Sequence, residues 1–213
     1  DHTPGRSLDI VTDAQIVSHH SDLRSDPDRL AAAAVVVSAA ERMASTDVPE
    51  GRVFALSDAA LDAVEALPIP QLRGVVATLL IKLVAFFGYR PSVEICAQCG
   101  AVAQESTGFS CDAGGFLCPD CTGSSASGVI FCSDALGSWV DAALGVRFVD
   151  FEGLEMPSQA AVDLLRFSKS WIEHFTGSRL KPLDFLLAGT LESDAFSDGA
   201  DTEVVRTSDE VDE

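Results

Sequence analysis

The sequence has few basic residues and no signature of a catalytic site. It holds 14 Lys and Arg against 33 Asp and Glu, which gives a net charge of −19 over 213 residues. Because contacts to phosphate groups require Lys and Arg, this charge disfavours a general nucleic-acid binder. Phosphate-binding glycine loops, a nucleophile elbow and a His–Cys–Asp pattern are all missing. We therefore expect no enzymatic activity.

Long apolar runs and targeting signals are also missing. The longest apolar run, residues 75–87, is interrupted by Lys82 and is shorter than a bilayer-spanning helix. The hydrophobic content of 47% is ordinary for a globular protein, and no signal peptide is visible. We expect a soluble, cytoplasmic protein. Because the first residue is Asp1 rather than methionine, we also expect the chain to be a piece of a longer protein.

Four of the six cysteines form a regular pattern. Cys96 and Cys99 make one C-x₂-C pair, and Cys118 and Cys121 make a second after a loop of 18 residues. This spacing is typical of a four-cysteine zinc site, in which each pair directs two sulfurs to one ion. Such a site is closed by its four protein ligands, so we expect a structural Zn²⁺ without a catalytic role.

Other uses of these cysteines fit less well. Disulfides are uncommon in cytosolic proteins, and a thioredoxin-like redox site needs a single C-x-x-C pair. A zinc deaminase has an H-x-E motif and a proline before its C-x-x-C pair. Here Leu117 precedes Cys118, and none of the four histidines has a Glu two residues on. Cys111 and Cys132 lie outside the pairs, and we expect them to be small, partly buried side chains.

The rest of the chain predicts a mainly α-helical bundle into which the zinc finger is inserted. Apolar residues recur at three- and four-residue spacing between proline, acidic and glycine signals for helix ends. The third helix is apolar around most of its circumference, so we expect it at the centre. The predicted helices are Ser25 to about Met43, Arg52–Leu67, Gln71–Phe87, Ser133 or Asp134 to about Leu144, and Ser158–Thr176, followed by a short helical or extended segment at 179–187.

Short strands are predicted at Leu8–Val17 and, buried, at Val129–Phe131, whereas Arg147–Phe151 is ambiguous between strand and loop. The first strand has no nearby partner, so we expect a sheet or barrel upstream of it. Residues 191–213 hold nine acidic residues and one basic, a charge of −8, and we expect them to be disordered. The predicted organisation is the end of an N-terminal domain at 1–20, a helical domain at 21–190 with its finger at 92–124, and an acidic tail at 191–213.

Some side chains are candidates for partner or DNA binding, each with a plainer alternative. The region 157–184 is the one sizeable stretch with net positive charge, and it either contacts phosphates or acidic peptides or is an ordinary solvated helix face. Lys82 either extends to the surface or lines the rim of a groove. We expect Trp139 and Trp171 in the core and the His19–His20 pair in solvent. The candidates are Lys82, Arg90, Arg166, Lys169, Arg179 and Lys181.

One stretch of the chain resembles a known family. Residues 79–91, a helix that ends in Gly88-Tyr89-Arg90-Pro91, run directly into the first cysteine pair at 95–100. This arrangement resembles the RecO family of bacterial recombinational repair mediators. The likeness continues through residues 109–110 and 114–115, the second cysteine pair and residues 177–181. Upstream, residues 9–11 and 24–30 are similar to the family's passage from an N-terminal OB-fold into its helical domain.

The resemblance implies a non-catalytic protein that binds single- and double-stranded DNA and promotes annealing. It also implies recognition of the C-terminal tail of the single-stranded DNA-binding protein, and loading of RecA together with RecR in RecF-pathway gap repair, at the bacterial nucleoid. It makes Lys82 the match to a position that is often basic in the family, consistent with a groove rim that receives an acidic peptide, and makes residues 1–20 the remnant of an OB-fold. This chain departs from the family in its acidic body and in Lys181-Pro182-Leu183-Asp184, where arginines are frequent. The alternative is a zinc-stabilised protein-interaction adaptor that does not contact nucleic acid.

Overall fold

The structure, a computed structural model, describes residues 12–16, 18–43, 51–102, 108–124 and 128–188. The described part is mainly α-helical with one small sheet. The helices are α1 Pro27–Met43, α2 Gly51–Ala66, α3 Leu72–Phe86, α4 Pro119–Ser124, α5 Leu136–Gly145, α6 Ser158–Thr176 and α7 at 181–188, and the strands are β1 Gly108–Ser110, β2 Gly115–Leu117 and β3 Val129–Phe131. The predicted acidic tail lies outside the described residues. Of the predicted strand at 8–17, only 12–16 are described, and they belong to no sheet.

Helix α3 is the centre of the bundle, as its all-round apolar sequence predicts. It packs against α6 along much of its length and also against α1, α2 and α5. Its side chains from Val75 to Ile81 are fully or almost fully buried. The segment Ile69–Phe86 has the length and apolarity of a membrane span, but 61% of it is buried inside the bundle. Its position in the protein core accounts for that composition.

The helix ends follow the signals in the sequence. Gly88 (φ 94°) and Gly177 (φ 62°) adopt left-handed backbone conformations just after α3 and α6, which glycine adopts without a side-chain clash. The predicted bounds of α1, α2, α3 and α6 are confirmed to within two residues. Residues 181–188 form a helix. Leu183 and Leu186 within it, and Leu180 just before it, are buried.

The sheet has the strand order β2-β1-β3, with both pairings antiparallel. Phe109 on the central strand lies opposite Phe116 on β2 and Ile130 on β3. The strand at Val129–Phe131 is confirmed, but the prediction that it is buried is wrong. Phe131 is 79% exposed, because it ends an edge strand that no other described strand covers.

Two further segments differ from expectation. The ambiguous region around 147–151 is a 3₁₀ helix, Phe148–Leu154, which buries Phe148 and Phe151 beneath α2 and α3. His20, expected in solvent, has a side chain only 14% exposed. Its Nδ1 lies 3.0 Å from Oε2 of Glu65 on α2. This contact fastens the segment before α1 to α2, so tertiary packing rather than local polarity sets the position of His20.

Candidate metal centre and basic groove

The four paired cysteines meet at one point, although they come from segments about twenty residues apart. One sulfur from each of Cys96, Cys99, Cys118 and Cys121 lies within 4.8 Å of the others. The Sγ atoms of Cys99 and Cys118 are 3.8 Å apart. Four sulfurs in a tetrahedron around Zn²⁺ at ~2.3 Å are separated by ~3.8 Å. The cluster could therefore hold a metal ion and is compatible with zinc.

The first cysteine pair sits in a tight turn. The N–H of Gly100 donates to the carbonyl of Cys96 at 2.9 Å, and Gly100 has φ 74°, a conformation that favours glycine. The N–H of Cys96 donates in turn to the carbonyl of Ala101 at 2.7 Å. These bonds close the chain on itself, so the side chains of Cys96 and Cys99 converge.

The second pair stands at the start of α4. Cys118 precedes the helix and Cys121 lies in its first turn, and the N–H of Thr122 donates to the carbonyl of Cys118 at 2.9 Å. Strand β2 joins the two pairs, because the N–H of Ala97 donates to the carbonyl of Phe116 at 2.9 Å. The two turns are thereby held against each other by backbone bonds that do not involve the sulfurs.

Two thiols of the cluster, those of Cys96 and Cys121, have strongly perturbed pKa values. Burial opposes ionisation of Cys96, but bonds from the backbone N–H groups of Cys118, Cys99 and Gln98 outweigh it and lower its pKa to about 6. A hydrogen bond with the Cys118 side chain, and then burial, raise the pKa of Cys121 to about 12. Because adjacent thiolates repel one another, a cation at the centre of the cluster stabilises their ionised form.

The two cysteines outside the cluster lie in a different environment from the four within it. Cys111 and Cys132 are both half-buried against the main core. Burial raises the pKa of Cys111, with a smaller contribution from Asp112, and burial raises that of Cys132 to about 11. Their partial burial agrees with the expectation that they are small apolar side chains.

Aromatic rings attach the finger to the helical bundle. Phe109 and Phe116 of the sheet are fully buried. The ring of Phe109 lies 4.7 Å from that of Phe167 and 5.0 Å from that of Trp171, both on α6, in edge-to-face geometry. The indole N–H of Trp171 donates to the carbonyl of Tyr89 at 3.1 Å, just before the first cysteine pair. The finger therefore shares its core with α6.

The basic residues of the region 157–184 are largely ion-paired. Lys169 Nζ lies 2.8 Å from Glu173 and 3.4 Å from Asp184, and Arg179 Nε lies 2.6 Å from Asp184. Arg166 lies 3.7 Å from Asp163. Lys181 is exposed at the start of α7, and Arg90 pairs with Asp141 at 3.5 Å. Most of the positive charge of this region is thus balanced within the protein.

Lys82 lies in a different place, in a groove between α2, α3 and the chain following α5. Its Nζ donates to the carbonyl of Leu144 at 2.7 Å, and burial lowers its pKa. Arg52 and Arg147 line the same groove, together with apolar side chains and the 81% exposed Val149. Its volume is about 580 Å³. We call the groove formed around Arg52, Lys82 and Arg147 the basic groove.

Sequence reasoning identified Lys82 but missed its two basic neighbours. Arg52 lies in the first turn of α2 and Arg147 follows α5, and nothing in their local sequences distinguishes them from other surface arginines. They converge only because α2, α3 and the segment after α5 pack together. No carboxylate is found among the described residues that line the basic groove.

These features define a helical domain that carries a four-cysteine finger with the geometry of a metal centre. Residues 24–184 match the protein family described as "Recombination protein O C terminal". The chain belongs to the RecO family. The match includes α1 to α6 and all four cysteines of the cluster, so the resemblance in the sequence is confirmed over most of the described structure.

Several relatives named DNA repair protein RecO are similar to the chain. The proteins from Roseiflexus sp. and Rubrobacter xylanophilus are 35% and 37% identical over 56% and 55% of the chain, and that from Desulforamulus reducens is 26% identical over 85%. The matched regions span 42%, 47% and 70% of those three proteins, respectively. The chain therefore spans about half the length of the first two relatives.

Proposed function

We propose that this chain is the metal-stabilised helical region of a DNA repair mediator that works by binding rather than by catalysis. The match to the RecO family over residues 24–184 carries this proposal, since it covers the helical bundle and the cysteine cluster together. Relatives over the same region are named DNA repair protein RecO. The cysteine cluster and the basic groove support separate parts of this mediator role.

The metal in the proposed centre is a structural Zn²⁺ bound by Cys96, Cys99, Cys118 and Cys121. Four protein sulfurs fill a tetrahedral site and leave no position open for a substrate or an activated water. The closed donor set therefore supports a structural rather than a catalytic ion. Zinc binding contributes roughly 10–16 kcal/mol in isolated finger peptides near neutral pH, which is comparable with the stability of a whole domain, roughly 5–15 kcal/mol.

The finer role we propose is that of the family. The parent protein binds single- and double-stranded DNA, anneals strands, and loads RecA with RecR during RecF-pathway gap repair in the bacterial cytoplasm, at the nucleoid. We assign most DNA contact to the OB-fold that the family places before its helical domain. The net charge of −19 and the paired cations of residues 157–184 support a minor role for the helical region in phosphate contact.

The basic groove is the proposed contact for an acidic partner peptide, namely the tail of the single-stranded DNA-binding protein. It combines three cations with an apolar lining, and no described lining residue is acidic. Among the described residues, the Lys82 ammonium group is hydrogen-bonded only to an uncharged oxygen, the carbonyl of Leu144. A carboxylate entering the groove gains a charge-assisted contact there, and an apolar side chain of the peptide covers the exposed Val149.

Fluorescence anisotropy of the zinc-loaded chain tests the proposal with two labelled probes, a single-stranded oligonucleotide and the acidic tail peptide. We expect the peptide to bind, and Lys82→Glu and the exposed Arg52→Glu each to weaken it at least about tenfold, equivalent to about 1.4 kcal/mol. Lys181→Glu, which makes the same charge change on α7, is the control and leaves binding unchanged. Peptide binding that Lys82→Glu and Arg52→Glu do not weaken contradicts the assignment of the groove.

The alternative function is a protein-interaction adaptor that does not touch nucleic acid. The acidic body and the ion pairs of Lys169 and Arg179 favour it. The oligonucleotide probe separates the two functions, because phosphate contacts give binding that weakens steeply with salt. Salt-sensitive DNA binding by this chain eliminates the adaptor. If the full-length parent protein does not bind DNA either, the mediator function is eliminated.

A further inference from the structure

The chain contains an acidic segment whose charge is opposite to that of the basic groove. Residues 191–213 carry nine carboxylates and one arginine, whereas the groove presents Arg52, Lys82 and Arg147. We propose that residues 191–213 bind the basic groove within the same molecule and compete there with acidic partner peptides. This inference rests on the proposed function, since it concerns the regulation of the same groove.

The groove clusters three basic side chains, whereas Lys169 and Arg179 near the end of α6 are each paired with a carboxylate. Their partners are Glu173 and Asp184, whereas Lys181 is exposed on α7. In the groove, the one hydrogen bond of Lys82 to a described residue goes to a carbonyl oxygen, and Arg52 lies over the ring of Phe86, 5.9 Å from its centroid. Arg147 pairs with Asp150 at the surface, and exposed pairs of this kind contribute only about 0–1 kcal/mol.

The acidic segment also carries an apolar group suited to the groove. Phe196 stands between Asp194 and Asp198, so an aromatic ring is flanked by carboxylates at two-residue spacing. The groove exposes 81% of Val149 beside its cations. With the Phe196 ring on that apolar surface and the neighbouring carboxylates on the basic side chains, the segment complements both the apolar and the charged parts of the groove.

The length of the segment permits this contact. Residues 189–213 span up to about 80 Å when extended, whereas a compact domain of 190 residues has a radius of gyration of about 16 Å. Any point on the surface of the helical body is therefore within reach. A tethered ligand acts at an effective concentration in the millimolar range, so a groove affinity of only about 0.1–1 mM suffices for competition.

Competition is measured on the full chain with a fluorescein-labelled peptide of aspartates ending in phenylalanine. In a variant, the nine acidic residues of 191–213 are changed to Asn or Gln, and we expect it to bind the probe about 2- to 10-fold more tightly. Equal affinities of wild type and variant overturn the inference and leave the proposed groove intact. If Lys82→Glu does not weaken binding of the probe to the variant, the proposed groove itself is wrong.

A zero-length carbodiimide crosslink locates the segment directly, without any partner peptide. The chain has three lysines, Lys82, Lys169 and Lys181, so mass spectrometry distinguishes the possible products. We expect crosslinks between Lys82 and carboxylates of 191–213 that form within one molecule and decline as salt increases. Crosslinks to Lys169 and Lys181 without any to Lys82 overturn the inference.

Discussion

The ring of Phe109 in the finger meets the indole of Trp171 on α6 edge to face, with centroids 5.0 Å apart and planes at 89°. Both side chains belong to the main hydrophobic core, whereas Cys96 and Cys121 form a separate small cluster with Leu117. The finger therefore has two faces. One carries the cysteine cluster, and the other packs its aromatic rings into the main core. The cysteine cluster and the helical bundle are consequently coupled through β1 and β2.

Phe109→Ala is expected to destabilise the finger and the bundle together. Removing a fully buried phenylalanine typically costs about 3–5 kcal/mol, because the remaining cavity is only partly filled. Chemical denaturation followed by circular dichroism measures the loss. Phe131→Ala, in the same sheet but 79% exposed, is the control and is expected to change stability by about 0.5 kcal/mol or less. Equal effects of the two substitutions contradict the packing described.

Cys96→Ser is expected to abolish stoichiometric zinc binding and to lower the melting temperature strongly. The remaining three sulfurs leave the tetrahedral site incomplete, and the finger loses most of the free energy that the metal contributes. Elemental analysis of the purified protein and thermal unfolding measure the two effects. Cys111→Ser removes a cysteine outside the cluster and is expected to retain full metal content. A Cys96→Ser protein with full metal content and an unchanged melting temperature rules out the four-cysteine site.

Gly115→Ala is expected to disrupt the contact between β2 and the first cysteine pair. A Cβ atom at Gly115 would lie 2.7 Å from Cβ of Ser92 and 3.0 Å from the Ser92 carbonyl oxygen. Since backbone must move to relieve these contacts, we expect a loss of about 1–3 kcal/mol and weaker metal retention against a chelator. Gly137→Ala in α5 meets nothing within 4 Å and is the matched control, expected to be neutral or stabilising. Normal metal retention by Gly115→Ala contradicts this steric argument.

Asp184 is expected to give a pH-dependent contribution to stability. The hydrogen bond from Arg179, with a further contribution from Lys169, holds the pKa of Asp184 below its usual range. Because the folded pKa lies below the unfolded value of about 3.9, the stabilisation is fully present above that pH and is lost as the pH falls through the folded pKa.

The melting temperature of Asp184→Asn is therefore expected to lie below that of the wild type at pH 5–7, with the difference closing below about pH 4. Comparing the two proteins at each pH cancels the effect of acid on the cysteine cluster, which both contain. Asp163→Asn, which removes the looser 3.7 Å contact with Arg166, is the control and is expected to show a smaller difference. A difference for Asp184→Asn that does not depend on pH contradicts the assigned ion pairs.

Much of the fold could be predicted from local sequence. Helix bounds followed from capping residues and apolar spacing, because these act over a few residues and leave a direct pattern in the chain. The cysteine cluster was equally visible, since C-x₂-C spacing encodes a turn that directs two sulfurs to one point. The end of α3 at Gly88 and its central position also followed from the sequence alone.

Tertiary structure alone decided which charges face one another and which rings share a core. Arg52, Lys82 and Arg147 are far apart in the sequence and meet only through the packing of three segments, whereas Lys169 and Arg179 are paired with Glu173 and Asp184. The exposure of Phe131 likewise depends on the strand order. Sequence patterns record local backbone preference, but the environment of a side chain depends on distant segments, which no local pattern records.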